Sequence, residues 1–235
     1  MNPDSTTFVL LPGLDGTAGM FGPFLEALAD KGISPDRCFA LPLPASTSQE
    51  YQSLAEHVSH SLPEGNIVLL AESFSTPLAM MLAESHKHRT RGMILVAGFC
   101  QSPLPAAIGL LPLHLLLLLS PPVTMVEYFL TGDTPPLGCL DAIMKTLRGA
   151  DSRVLASRLR SVLDLRESNC PAAPRDLPVL LIQSKQDRLI RRKAQSQLER
   201  HFPDARVVRI DGPHLLLQTK AHACASAVVS FLGEL

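Results

Sequence analysis

Short runs of apolar residues alternate along the chain with longer stretches in which apolar positions recur every three or four residues. The runs are typical of strands buried on both faces, and the longer stretches are typical of helices that pack one face on a sheet. The predicted strands are Phe8–Leu11, Cys38–Leu41, Ile67–Ala71, Met93–Ala97, Val179–Gln183 and Val207–Ile210. The predicted helices between them are Phe21–Lys31, Gln49–Leu62, Phe74–Glu84, Lys193–His201 and Leu215–Leu232. This alternation predicts an α/β fold with a mostly parallel sheet of about six strands flanked by helices.

The alternation stops between residues 101 and 175, which contain many prolines and no strand pattern. Short helices are predicted there instead, over Leu110–Leu119, Thr124–Leu130, Leu140–Arg148 and Ser152–Arg166. In the last of these, leucines at helical spacing share one face, and Arg158 and Arg160 lie off that face. We therefore predict an α/β core formed by residues 1–100 and 176–235, and a helical cap, residues 101–175, over an apolar pocket.

Composition narrows the class of protein. The 235 residues carry 21 Lys and Arg against 22 Asp and Glu, so no basic surplus is available to neutralise phosphates and no nucleic-acid partner is expected. Five scattered cysteines without a CxxC pair favour neither a disulfide framework nor a metal site, and indicate a reducing compartment. The first residues lack the pattern of a secretory signal, so a cytoplasmic protein is expected.

A charge-free stretch from Gly92 to Val126 is long enough, on paper, for the roughly 20 residues of a membrane helix. Five prolines interrupt it, and the longest unbroken apolar run is too short to cross a bilayer. We predict cap helices that are buried or face lipid. Membrane contact through the cap is left open but not favoured, and the sequence does not indicate the oligomeric state.

Ser73 follows the third predicted strand directly and precedes a helix, within the sequence AESFS at positions 71–75. A serine on such a sharp turn exposes its hydroxyl, and the residues two before and two after it must be small. Ala71 and Ser75 occupy these two positions, where glycine is usual. The alternative interpretation of Ser73 is a residue that caps the N-terminus of the following helix. Ser75 is a poorer candidate for the nucleophile, because Pro77 would then occupy the position two residues later, where a small residue is required.

A serine hydroxyl attacks only when a base removes its proton and a carboxylate orients that base. Asp187 follows the fifth predicted strand and His214 follows the sixth. Because carboxyl ends of parallel strands share one edge of a sheet, both side chains are expected to converge with Ser73 there. A helix-capping role for Asp187, and Asp211 as the acid, are the alternatives.

The glycine-bearing loop at positions 11–17, LPGLDGT, follows the first strand at the same edge. A tetrahedral intermediate of acyl transfer needs two preorganised N–H donors for its oxyanion, and we predict the backbone amides of Leu14 and Phe74. A tight Asp15-Gly16 turn is compatible with this role.

Further pocket residues are expected in the same loop and under the cap, in a wall that is otherwise aliphatic because only 5% of the residues are aromatic. The predicted substrate contacts are Gly13, Asp15, Phe99, His114, Tyr128 and Phe129. A hydrogen-bonded core position is the alternative for His114, and the histidines on predicted helices, His201 among them, are interpreted as solvated. Neither GxGxxG nor GxxxxGK[ST] occurs, so no cofactor is expected.

Four segments resemble the α/β-hydrolase superfamily: LLPGLDGT at 10–17, AESFS at 71–75, SKQDRLI at 184–190 and DGPHLLLQ at 211–218. The similarity is greatest to small lid-bearing carboxylesterases such as the pimeloyl-carrier-protein methyl ester esterases, and PGLDGT also resembles plastid ester synthases. The resemblance implies a triad of Ser73, His214 and Asp187 with an oxyanion hole from Leu14 and Phe74. The chain departs from the pattern of this superfamily in three ways. Both glycines around the nucleophile are replaced, and the loop after the first strand has Pro-Gly where His-Gly is common. There is also little room before the first strand for the usual leading hairpin.

The sequence thus predicts a serine carboxylesterase that hydrolyses short- to medium-chain esters through an acyl-enzyme. Its partner would be a small-molecule ester with an apolar acyl group. The alternatives are an acyltransferase or thioesterase that uses the same triad, and a non-catalytic lipid- or membrane-binding protein that keeps the fold.

Overall fold

The computed structural model describes residues 6–172 and 174–235. Its sheet contains six strands in the order β2-β1-β3-β4-β5-β6, and each neighbouring pair is parallel. The strands are β1 Thr7–Leu11, β2 Cys38–Ala40, β3 Ile67–Glu72, β4 Thr90–Val96, β5 Val179–Ser184 and β6 Arg206–Ile210. The predicted α/β class with a six-stranded parallel sheet is confirmed.

Helices cover both faces of the sheet, and others lie in the segment 101–175. They are α1 Gly22–Ala29, α2 Tyr51–Ser59, α3 Thr76–Ser85, α4 Leu113–Leu116, α5 Val123–Val126, α6 Cys139–Gly149, α7 Ser152–Leu163, α8 Arg192–His201, α9 Leu216–Thr219 and α10 Ala221–Leu232. The predicted last helix is divided in two, because Lys220 leaves the helical conformation with φ −133° and ψ 37°.

The core lies on both faces of the central strands, as continuous apolar runs require. Successive residues of β3 point to opposite faces. Leu69 packs with Leu54 of α2 on one face, and Val68 packs with Phe24 of α1 and Val228 of α10 on the other. Because β3 is buried on both faces, its register in the sheet is fixed. The position of Ser73, which directly follows its carboxyl end, is therefore fixed as well.

The segment 101–175, called the cap segment below, has no strand among its described residues. Helices α6 and α7 match their predicted positions closely, and α5 continues into a wide turn over Glu127–Thr131. The Asp151 side chain caps α7 by accepting the Arg153 N–H at 2.7 Å. The division of the chain into a core and a cap stays a prediction.

The leucine-rich part of the cap segment is much less helical than predicted. Between Pro112 and the Pro121-Pro122 pair, only the four residues of α4 form an α-helix. Proline disrupts a helix that would otherwise continue, so the prolines on the two sides limit α4 to a single turn. Leu110, Leu118 and Leu119 are 88%, 66% and 71% exposed, so the run is not buried over its whole length. Among the described residues, no helix has the length and apolar content needed to cross a membrane. Contact with lipid stays a prediction.

Candidate active site

The turn after β3 holds Ser73 in a backbone conformation that disfavours non-glycine residues, with φ at 47°. A single 3₁₀ turn over Ser73–Ser75 then leads into α3. The hydroxyl of Ser75 is buried and donates to the Pro12 carbonyl at 2.5 Å. The Ser75 hydroxyl therefore binds the loop after β1, whereas the Ser73 hydroxyl is available to other partners.

Three predicted residues meet at the carboxyl edge of the sheet. The Ser73 Oγ lies 3.0 Å from His214 Nε2, and His214 Nδ1 lies 2.7 Å from Asp187 Oδ2. The other Asp187 oxygen accepts the N–H groups of Leu189 and Ile190 at 2.9 and 2.7 Å. Asp187 thus both caps the turn after β5 and holds the imidazole, so its two interpretations are compatible.

His214 is buried, and its electrostatic surroundings favour the protonated ring. Burial lowers the pKa of the imidazole, but the charge and hydrogen bond of Asp187 and the charge of Glu72 outweigh burial and raise this pKa above its ordinary value. A raised pKa makes the neutral ring a stronger base toward a neighbouring hydroxyl.

Two buried side chains hold the backbone at the predicted oxyanion residues. The phenol of Tyr51 donates to the Phe74 carbonyl at 3.0 Å, and the two rings stack with their centroids 5.0 Å apart. The guanidinium of Arg158 donates to the Leu14 carbonyl at 3.0 Å. Within residues 6–172 and 174–235, the Leu14 N–H has no hydrogen-bond acceptor, so it is free to serve a ligand.

Arg158 crosses from α7 into the core and is only 2% exposed. It also donates to the Gln49 side chain at 2.8 Å and to the Pro44 carbonyl at 3.3 Å. A Cβ at Gly16, where φ is +72°, would lie 2.0 Å from the guanidinium, so only glycine fits beneath it. Nothing in the sequence distinguishes Arg158 from the exposed Arg160 on the same helix.

A cavity of about 280 Å³ opens beside Ser73, with a wall of mainly leucine, isoleucine, valine and phenylalanine side chains. The cap segment contributes much of this wall, including Leu117, Leu130 and Leu155. The polar residues in the wall are Asp15, Glu72, Ser73, Thr146, His214 and Gln218. The predicted contacts Gly13, Leu14, Asp15, Phe74 and Phe99 all line the cavity.

Three other predicted contacts, His114, Tyr128 and Phe129, do not belong to the wall of this cavity, and their contact with a substrate stays a prediction. His114 is exposed because its neighbour Leu113 takes the buried face of the single turn of α4. Tyr128 is 54% exposed and packs edge-on against Phe129. The Arg188 guanidinium lies 4.0 Å from the centroid of the Tyr128 ring. Tyr128 therefore forms a surface contact between the cap segment and the loop after β5.

Comparison with known proteins identifies the family. A family model described as the alpha/beta hydrolase family matches residues 8–227. The chain belongs to the alpha/beta hydrolase family. A comparison with curated proteins finds no match.

Solved structures show how widely this alpha/beta hydrolase shares its fold. A lipase-esterase related protein from Clostridium acetobutylicum is 16% identical with a TM-score of 0.74, covering 98% of this chain and 96% of that one. An enol-lactonase from Burkholderia xenovorans is 18% identical with a TM-score of 0.74, covering 97% and 92%. A bromoperoxidase from Bacillus anthracis is 14% identical with a TM-score of 0.73, covering 97% and 92%. At such low sequence identities, the similarity to these structures is evidence of a shared fold alone.

One charged group of this alpha/beta hydrolase was missed by sequence reasoning, although it stands directly before Ser73. Glu72 is 2% exposed, and burial, together with the charge of Asp15, raises its pKa to about 7. One carboxyl oxygen accepts from Gln218 at 3.3 Å, and the other has no partner among the described residues. A charged residue at the end of a fully apolar strand is the signal that could have identified it.

Proposed function

We propose that this alpha/beta hydrolase is a serine carboxylesterase for esters with apolar acyl groups of short to medium length. The observation that carries the proposal is the hydrogen-bonded chain from the Ser73 hydroxyl through His214 to Asp187, at the wall of an apolar cavity. Such a chain can remove the hydroxyl proton as the oxygen attacks a carbonyl.

The reaction then has two matched halves. The Ser73 Oγ forms a bond to the ester carbonyl carbon while His214 Nε2 takes its proton, and the amides of Leu14 and Phe74 stabilise the oxyanion. The bond to the alcohol oxygen breaks, His214 returns the proton to that oxygen, and the alcohol leaves. Water attacks the acyl-enzyme in the same way, which releases the carboxylic acid and restores Ser73. Asp187 keeps the imidazole oriented throughout.

The cavity supports the choice of acyl group. Its volume of about 280 Å³ is close to the lower end of ordinary small-molecule pockets, about 300 Å³, which favours short and medium chains. Asp15 in its wall would repel a carboxylate, so an uncharged acyl group is favoured. The resemblance to pimeloyl-carrier-protein methyl ester esterases supports the same choice, an ester of an aliphatic acid.

A fluorophosphonate probe tests the nucleophile. We expect the probe to add to Ser73, and Ser73→Ala to abolish both labelling and hydrolysis of p-nitrophenyl esters. Ser85→Ala, at the exposed end of α3, is the matched control that keeps both. Labelling of Ser73→Ala at the wild-type rate would refute the assignment.

Two further measurements test the reaction class. Across p-nitrophenyl esters from acetate to palmitate, we expect kcat/KM to peak at short or medium chains, and a strict preference for charged acids would contradict the proposal. Adding alcohols or thioester substrates distinguishes hydrolysis from transfer or thioester cleavage, because the partition of acyl products between water and added alcohol is measured directly.

A further inference from the structure

Three possible metal ligands that are far apart in the sequence meet outside the candidate active site. Cys100 lies just after β4, Cys170 lies near the end of the cap segment, and His201 is the last residue of α8. Their ligand atoms all lie within 4.8 Å of one another. The spacing of these residues along the chain matches no zinc motif, so their convergence follows from the fold alone.

The distances suit a tetrahedral thiophilic cation. Zinc bonds of about 2.3 Å to sulfur and about 2.0–2.1 Å to nitrogen place a sulfur and a nitrogen roughly 3.6 Å apart in a tetrahedral site. The Cys170 Sγ lies 3.7 Å from Nδ1 and 3.9 Å from Nε2 of His201. A cation could therefore be accommodated with small side-chain movements.

The surroundings orient one ligand and leave two of the three within reach of an ion. A hydrogen bond between His201 and the backbone of Pro171 orients the imidazole. Cys170 and His201 are half-buried, so an ion can reach them, whereas Cys100 is buried behind them.

We propose that Cys100, Cys170 and His201 bind one zinc ion through two thiolates and one imidazole. Binding releases the two thiol protons and involves no oxidation or reduction. Three protein ligands leave one coordination position for water. The ion would tie the end of the cap segment to the loop that carries Phe99, a residue of the cavity wall. This site is independent of the proposed esterase activity.

Metal content of the full chain tests the proposal. After incubation with zinc and removal of unbound metal, we expect elemental mass spectrometry to find one zinc ion per chain. Cys170→Ser and His201→Ala should each lose most of this zinc. Cys38→Ser and His88→Ala replace the same residue types outside the cluster and should keep it. Circular dichroism of every variant separates loss of the site from loss of the fold.

Cobalt provides a second readout. Cobalt-loaded wild-type protein should show the charge-transfer absorption of thiolate ligands, and Cys170→Ser should show it at reduced intensity. Zinc content that is unchanged in both Cys170→Ser and His201→Ala would overturn the proposal, as would wild-type protein that retains no zinc. A Cys100–Cys170 disulfide in freshly purified protein, seen as a mass lower by two hydrogens that reduction restores, would also overturn it.

Discussion

Glu72 makes a strong pH dependence of stability predictable from a single buried group. Its carboxyl has a pKa of about 7 in the folded chain against 4.5 ordinarily, and each unit of such a difference corresponds to about 1.4 kcal/mol. Between pH 4.5 and 7 the unfolded chain loses this proton while the folded chain keeps it, so stability falls as pH rises. Above pH 7 the full effect, about 3 kcal/mol, opposes folding.

Glu72→Gln removes the charge and keeps the shape of the side chain. We expect the variant to unfold at higher urea concentration than the wild type at about pH 8, with an advantage of about 3 kcal/mol, and an advantage below about 1 kcal/mol at about pH 5. Equilibrium urea denaturation at both pH values measures the difference. Glu64→Gln, on the exposed turn before β3, should show no such dependence.

If the difference in free energy of unfolding between Glu72→Gln and the wild type were the same at both pH values, Glu72 would not change its ionisation on folding. If the variant were less stable at the higher pH, a partner of the ionised carboxylate would have been overlooked.

Other predictions concern the reaction. Because the pKa of His214 is raised above its ordinary 6.5, kcat/KM on a p-nitrophenyl ester should fall as the pH drops through a value above 6.5, and a midpoint below it would contradict the assignment. Asp187→Asn should lower kcat by roughly 10³–10⁴ in a chain that still folds, measured with the same ester, whereas a tenfold loss or less would argue for a capping role alone. Arg158→Lys should lower kcat by about tenfold to hundredfold with a smaller change in KM, because the Leu14 loop loses its fixed support, and equal effects in the exposed Arg160→Ala would argue against this.

The strands and the three converging side chains follow from local sequence, for a physical reason. A parallel strand buried on both faces must be apolar throughout, so β3 and β5 are visible as continuous runs. Parallel strands align their carboxyl ends, so residues just after them share one edge. The positions of Ser73, Asp187 and His214 therefore need no long-range information beyond the strand assignment.

The remaining features depend on packing between distant segments, which sequence patterns do not encode. Arg158 lies off the apolar face of α7 and carries no sign that it ends among core carbonyls. Tyr128 and His114 occupy short helical pieces whose orientation is set by prolines and by neighbouring contacts, so their side chains could not be placed. The meeting of Cys170 with His201 depends on where the cap segment returns to the sheet.

Helix α7 is anchored by a guanidinium whose hydrogen-bond acceptors belong to two separate core loops. Moving α7 away from the sheet would pull the guanidinium out of these hydrogen bonds and leave the buried carbonyl groups unpaired. We therefore expect the α7 side of the cavity to stay fixed and a substrate to enter past the short helices α4 and α5, which follow prolines.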